Sequence, residues 1–453
     1  MDVVVLSRIQ FALTSMFHYI YPPLSIGLGL MLVIVEGMYI KTKIPLYKEM
    51  AKFWSKIFAL TFALGVATGF VQLFGFGTNW AKYSRFVGDV FGSALGAEGI
   101  FAFFLESGFL GLMLFGWNRV SAKMHYFSTW MVCLGAHFSA LWIVIANSWM
   151  QTPAGYKIVG EGQEARAVVT DFWAMVFNPS SMDRIVHVIL GCWLAGIFLY
   201  LSITAYYYLK KRHLPFARIS MKIGLICALI TLLLQLWSAD STARGVAYNQ
   251  PAKLAAMEGV YETKPHTALN LFGWVNTKEK QVFGLAIPGM LSFLTYLDAE
   301  KPVTGLDQIP QEEWPNVQAV FQTYHLMIMM WGLMFLTTVI SLYYWKKKRL
   351  ENKKWVLWIL ICSVIFPQIA NQAGWVTAEM GRQPWIVQGL LKTHEGVSKA
   401  VSASQVLSSI IMYLVIFSFL LIVFLYLLDQ KIKHGPDTEE DEALVYKDRP
   451  YEG

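Results

Sequence analysis

The sequence predicts an all-α polytopic membrane protein of about nine spans, on three observations. Hydrophobic residues make up 56% of the 453 residues and charged residues only 15%, against roughly 25% charged in ordinary soluble domains. The apolar residues gather into segments of about 19–25 residues, the length that crosses hydrocarbon as a helix. Lysine and arginine collect in every second connection. The net charge of +7 therefore follows from the positive-inside rule and does not indicate a nucleic-acid partner.

The segments run over 15–38, 53–76, 94–117, 126–149, 185–209, 219–238, 320–344, 355–377 and 405–428. Lys41, Lys43, Lys48 and Lys52 follow the first span, and Arg119 and Lys123 follow the third. Lys210, Lys211, Arg212, Arg218 and Lys222 lie between the fifth and sixth, and Lys346 to Arg349 with Lys353 and Lys354 between the seventh and eighth. These short connections face the cytoplasm, which puts the N-terminus outside and the C-terminus inside. The chain then divides into spans 1–6 (1–238), a folded external loop (239–319), spans 7–9 (320–430) and a polar cytoplasmic tail (431–453) carrying Glu439, Glu440, Asp441 and Glu442. No internal repeat supports a transporter built on inverted repeats. The N-terminus lacks the basic region of a cleaved signal, so the first span is expected to be retained. Cys133, Cys192, Cys227 and Cys362 lie in apolar runs without metal-site spacing, so neither a disulfide framework nor zinc is expected.

The chemistry concentrates in Gly374-Trp375-Val376-Thr377-Ala378-Glu379-Met380-Gly381-Arg382-Gln383-Pro384-Trp385. One helical turn puts Glu379 and Arg382 on one face at the end of a span, where they form either an interfacial salt bridge or a functional pair. On the topology above, His18, His187, Met327 and Glu379 share one depth near the outer face. Histidine and methionine are axial ligands of haem iron. Equally, a membrane histidine can be a satisfied interhelical donor and a methionine plain core packing. His137 is expected to be such a donor, and His325 to bond either a haem edge or a neighbouring helix. Glu98 and Glu106 on span 3 lie about 12 Å apart along one helix and within roughly 80° around it. They read as a proton relay or as two separately hydrogen-bonded acids. Lys253 and Glu258 in the external loop are by themselves a weak signal, the kind of charged stretch that is usually a solvated face.

The pattern GWxxxExGRQPW resembles the signature of subunit I of cytochrome bd-type quinol oxidases, in the short quinol-loop form. The likeness extends from Leu6-Ser7-Arg8-Ile9-Gln10-Phe11-Ala12 through Ser139-Ala140-Leu141-Trp142-Ile143-Val144-Ile145-Ala146-Asn147-Ser148-Trp149-Met150-Gln151 to the last span. It implies that His187 and Met327 hold a low-spin haem b. It implies that His18 and Glu379 serve two high-spin haems, one b and one d (or a third b), with Trp375 beside them and Arg382 near the propionates. Lys253 and Glu258 would belong to the quinol-oxidising loop, and Glu98 and Glu106 to proton routes. Where some members carry an arginine two residues before the ligand methionine, this chain has His325.

The function expected is that of a bacterial inner-membrane quinol:O2 oxidoreductase that generates a proton-motive force without pumping. Its partners would be a second large membrane subunit, subunit II, and in some assemblies a small single-helix subunit. One alternative is a di-haem cytochrome b that serves a dehydrogenase; it leaves Glu379 without a role. Another is a cofactor-free transporter using Glu98 and Glu106.

Overall fold

The computed structural model describes residues 2–99 and 104–437. Helix α1 (Val3–His18) starts at Asp2, whose carboxylate accepts from the Val4 amide. Pro22 and Pro23 lack the donors a helix interior needs, so the chain restarts as α2 (Tyr21–Thr42) with both in its first turn. The span expected at 15–38 is therefore interrupted, and His18 is the last residue of α1. Next come α3 (Pro45–Thr78), α4 (Ala81–Phe86), α5 (Gly88–Ala97) and α6 (Phe104–Phe115). Helix α7 (Ala122–Gln151) is capped by Ser121. A short hairpin, β1 (Tyr156–Val159) and β2 (Arg166–Val169), and α8 (Phe172–Val176) lead to α9 (Ser181–Lys210) and α10 (Leu214–Asn249).

At 36 residues, α10 is about 54 Å long, more than a bilayer core needs. It runs past the expected end of span 6 and carries α11 (Pro251–Glu258) on its projecting end. The rest of the 239–319 stretch is also folded. Strands β3 (Leu269–Asn276) and β4 (Gln281–Ile287) pair antiparallel, and α12 (Met290–Tyr296) follows. Then come α13 (Val317–Lys346), α14 (Lys354–Cys362) and α15 (Ile365–Met380). The break between the last two falls four residues before Pro367, whose ring excludes a regular helix there. A small hairpin of β5 (Trp385–Val387) and β6 (Leu391–Lys392), α16 (Thr393–Gly396) and α17 (Ala403–His434) close the chain.

Among the described residues, eight helical stretches are long and apolar enough to cross a membrane, with α1–α2 and α14–α15 each taken as one. The expected span at 94–117 includes residues 100–103, and the acidic run 439–442 follows residue 437; both fall outside the described residues.

Helix α9 is the core of the bundle. Tyr200 stacks on Trp54 of α3 at 4.4 Å between centroids, and Phe53 meets Phe216 of α10 edge-on. Against α2 the approach is backbone to backbone. A Cβ on Gly27 or Gly196 would lie 2.3–2.7 Å from the other helix's main chain, so no side chain fits at either position. Helices α13 and α15 pair through Thr323 and Thr377, whose hydroxyls are 2.9 Å apart. Helix α17 packs with only a narrow buried stripe (Val406, Ile410, Phe417, Phe424) and exposes Val415, Phe419 and Ile422.

Candidate functional site

Helices α9, α10, α13 and α15 enclose a cavity of about 240 Å³ lined by His187, Met327, Arg184, Gln235, Lys253 and Trp375. Glycines keep it open: a Cβ at Gly374 would come 3.0 Å from the Met327 sulfur, and one at Gly191 2.7 Å from Asn371 Oδ1. His187 and Met327, 140 residues apart in sequence, thus share one cavity from facing helices. Gln235 Nε2 lies 3.0 and 3.2 Å from the two ring nitrogens of His187, over the ring edge rather than in line with one lone pair. Trp375 meets Tyr19 edge-on at 5.4 Å, and the Arg184 guanidinium lies 5.9 Å above its ring.

One end of the cavity is a charge cluster. Glu379 accepts from Asn147 Nδ2 (3.0 Å) and Gln151 Nε2 (3.3 Å) on Oε1, and from Arg382 Nη2 on Oε2. Arg184 Nη2 donates to Asn147 Oδ1 at 2.6 Å. The Nη1 of Arg184, the Nε and Nη1 of Arg382 and the Nε1 of Trp385 are buried without a hydrogen-bond partner among the described residues. Two permanent guanidiniums therefore face one carboxylate, and several of their N–H groups have no acceptor.

Lys253 departs from the sequence expectation. It is 4% exposed, not part of a solvated face. Its Nζ donates to Gln151 Oε1 and to Gln250 Oε1 (2.7 Å). A Cβ on Gly381 would lie 2.8 Å from its Cγ. Burial, then the nearby Arg184 and Arg382, hold its ammonium well below the usual lysine range. The cause is tertiary: α11 lies on the projecting end of α10 and is folded against α13 and the 381–382 turn. Glu258, at the far end of α11, does not pair with Lys253. It is 1% exposed, its Oε2 has no hydrogen-bond partner among the described residues, and burial pushes its carboxyl up to about 8 against an opposing hydrogen bond from Tyr324.

The remaining predicted residues lie outside the cavity lining. His18 sits against α3, with Nδ1 2.9 Å from Thr68 Oγ1. The Thr68 hydroxyl has its own acceptor in Leu64 O at 2.7 Å, so it accepts from His18 Nδ1–H and leaves Nε2 with its lone pair. Glu98 accepts from Ser139 Oγ at 2.6 Å, and Glu106, 6% exposed, lies within its electrostatic reach. His137 is a satisfied imidazole, placed between Cys133 O (2.7 Å) and Trp193 Nε1 (2.8 Å). His325 faces two carbonyls, Phe321 O and Asn270 O, each at 2.8 Å, and ties α13 to β3.

Sequence reasoning passed over Arg184 and Gln235, and gave Asn147 and Gln151, which lie in the Ser139–Gln151 segment of the family likeness, no role of their own. Arg184 had a usable signal: it stands one helical turn before His187 at the mouth of a span.

A family model described as cytochrome bd terminal oxidase subunit I matches residues 6–436. The cytochrome bd ubiquinol oxidase subunit 1 of Bacillus subtilis (strain 168) is 38% identical over 100% of this chain and 98% of its own length. The cytochrome bd-II ubiquinol oxidase subunit 1 of Escherichia coli (strain K12) is 34% identical over 97% and 98%. The structure of bd oxidase from Geobacillus thermodenitrificans superposes with a TM-score of 0.89 at 29% identity, over 96% of this chain and 99% of that one. A bundle with this cavity and this charge cluster, alike over its whole length to these proteins, belongs to the family of cytochrome bd terminal oxidase subunit I, membrane quinol:oxygen oxidoreductases.

Proposed function

We propose that this chain oxidises quinol near the outer face of a bacterial cytoplasmic membrane and reduces O2 to water with protons drawn from the inside. The observation that carries the reading is the cavity that joins an axial-ligand pair, His187 and Met327, to a cluster with excess guanidinium charge. The unpartnered N–H groups of Arg184, Arg382 and Trp385 fit the carboxylates of haem propionates, and Arg is the residue suited to them in its planar geometry. When bound, haem supplies the one-electron carriers and the iron that binds O2.

His187 and Met327 would hold a low-spin haem b. His18, through its free Nε2, and Glu379 would hold the two high-spin groups, a haem b and a haem d or third haem b. Asn147 and Gln151 fix the Glu379 carboxylate, and Trp375 packs among the groups. Glu258, held protonated by burial, first gives its proton up to the outer solution and then, as the carboxylate, accepts the proton that quinol releases, while Lys253 orients the quinol oxygen. Glu98 and Glu106 hold protons on their way inward to the oxygen site. The 239–319 segment is then the external quinol-oxidising loop, and the N-terminus is outside. Subunit II would cover part of the exposed apolar surface of α17 or α3.

The test is haem stoichiometry with oxidised, reduced and CO-reduced spectra of the purified complex. Three haems per chain with a CO-binding high-spin group are expected. Low-spin haem alone would favour the dehydrogenase-linked cytochrome b instead.

A further inference from the structure

Glu36 and His125 form a buried pair that none of the roles above uses. Glu36 lies on α2 and His125 in the first turn of α7, each 2% exposed. Glu36 Oε1 is 2.6 Å from His125 Nδ1, and Thr129 Oγ1 is 2.6 Å from Glu36 Oε2. The other ring nitrogen, Nε2, is 3.0 Å from Met113 O, a carbonyl in the last turn of α6. A carbonyl only accepts, so Nε2 carries a hydrogen, and a single proton lies between Nδ1 and Oε1. The Trp117 ring covers the imidazole at 3.7 Å, and the Lys52 ammonium stands 5.9 Å from the same ring.

A carboxylate inside a membrane helix is costly and marks function by default. Two features go beyond a packing role. The Thr129 hydroxyl has a second acceptor, His125 O at 3.3 Å, so it can turn away from Glu36 and accept in its place. The same side of α7 also leads to the acids of the proton route. Cys133, one turn or about 6 Å beyond Thr129, lies within electrostatic reach of Glu106, and Ser139 further on bonds Glu98. On α6, Met113 and Glu106 are two turns apart on one face. Lys41, Lys43, Arg119 and Lys123 crowd the same end of the bundle, the inner end by the positive-inside rule.

We propose that Glu36, His125 and Thr129 form the inner proton-loading site of the route to Glu106; this rests on Glu98 and Glu106 being inbound proton carriers. A proton from the inner solution binds Glu36 Oε2. The Thr129 hydroxyl then accepts from that oxygen and donates to His125 O. The proton leaves for an ionised Glu106, with water as carrier between α6 and α7, and Thr129 turns back. Only O–H and N–H bonds form and break, and the site regains its starting charge. The ionisable groups near it are Lys52 of α3, Tyr126 of α7 with its hydroxyl against Gly37 of α2, Arg119 of the α6–α7 turn, Lys123 in the first turn of α7 and, two turns along α6 from Met113, Glu106.

The test compares Glu36→Gln, His125→Gln, Thr129→Val and Glu106→Gln in the whole complex, reading haem content, O2 consumption with excess quinol, and its dependence on inner pH. Glutamine at 125 keeps a donor for Met113 O, and valine at 129 leaves the Glu36–His125 bond in place. The expected result is a full haem complement with at least about tenfold slower turnover at high inner pH in Glu36→Gln, consistent with loss of a positioned proton carrier. The loss should shrink as inner pH falls, and Thr129→Val should show the same profile in milder form. Turnover per haem and pH profile unchanged in Thr129→Val and in whichever of the other two assembles, with Glu106→Gln impaired, overturns the loading site and leaves the route standing. Wild-type turnover in Glu106→Gln overturns the route itself.

Discussion

Lys253 and Glu379, 126 residues apart in sequence, are joined through one side chain: Gln151 accepts from Lys253 Nζ with Oε1 and donates to Glu379 with Nε2. The proposed quinol residue and the proposed haem ligand therefore share a hydrogen-bond partner. Changes at one are expected to be felt at the other.

Lys253→Met removes the ammonium and keeps much of the stem's volume. It is expected to slow quinol oxidation and also to shift the high-spin haem absorption, because Gln151 loses a donor and reorients against Glu379. Gln151→Leu should move both quantities together. Steady-state kinetics and CO-difference spectra of the two variants check this, and a kinetic defect with an unaltered spectrum would break the link.

Met327→Leu conserves volume and removes the thioether. The low-spin spectrum should be lost or turn high-spin while the protein stays assembled, since only the sulfur is missing from the cavity wall. Gly374→Val should mimic this in part, because its side chain would occupy space now held by the Met327 sulfur. An unchanged low-spin band in Met327→Leu would remove Met327 from the ligand set.

Glu379→Ala leaves Arg382, which is 3% exposed, without its carboxylate. Loss of one high-spin haem and of O2 reduction is expected, with the His187 haem still reducible by quinol. Arg382→Lys keeps the charge and loses the fork, so weaker haem retention with residual turnover should follow. Haem counts per chain in both variants decide, and a full complement in Glu379→Ala would falsify the ligand role.

Glu258 gives a pH dependence of definite sign. Its folded-state carboxyl is raised from 4.5 to about 8, so between these values the folded chain holds a proton that the unfolded chain releases. Stability of the packing around α11 therefore falls as pH rises through that window, and the penalty is complete above about 8. Cleavage within 239–319 by a protease of matched activity should be faster at about pH 9 than at about pH 6, and Glu258→Gln should flatten the difference. Equal cleavage of both proteins at both values would count against the buried carboxyl.

The helical class was legible because the length of the apolar runs and the spacing of lysines are local properties. His187 and Met327 stood out through their shared depth near the outer face and the family likeness. The cavity they share depends on Gly191 and Gly374, whose value shows only when the helices are packed. The burial of Lys253 could not be read, since a lysine between an alanine and a leucine looks the same whether α11 lies on solvent or folds against Gly381. Glu36 and His125 were missed for a related reason. Each stands at the edge of an apolar run among basic residues, where an ionisable group is ordinary, and 89 residues separate them. The breaks at Pro22–Pro23 and Pro367 were written in the sequence, but their apolar flanks masked them.

The contact of Gly27 with Gly196 has a consequence for how such a chain can diverge. It pins α2 to α9 at one point of the main chain. On one side of the pin α2 carries Glu36; on the other side α9 carries His187. Adding or deleting a single residue between the pin and either group would swing that group about 100° and shift it 1.5 Å. No side-chain adjustment at the crossing could absorb this, because there are no side chains there. Along these two helices the descent of the protein is free to rewrite letters but not to change the length of the word.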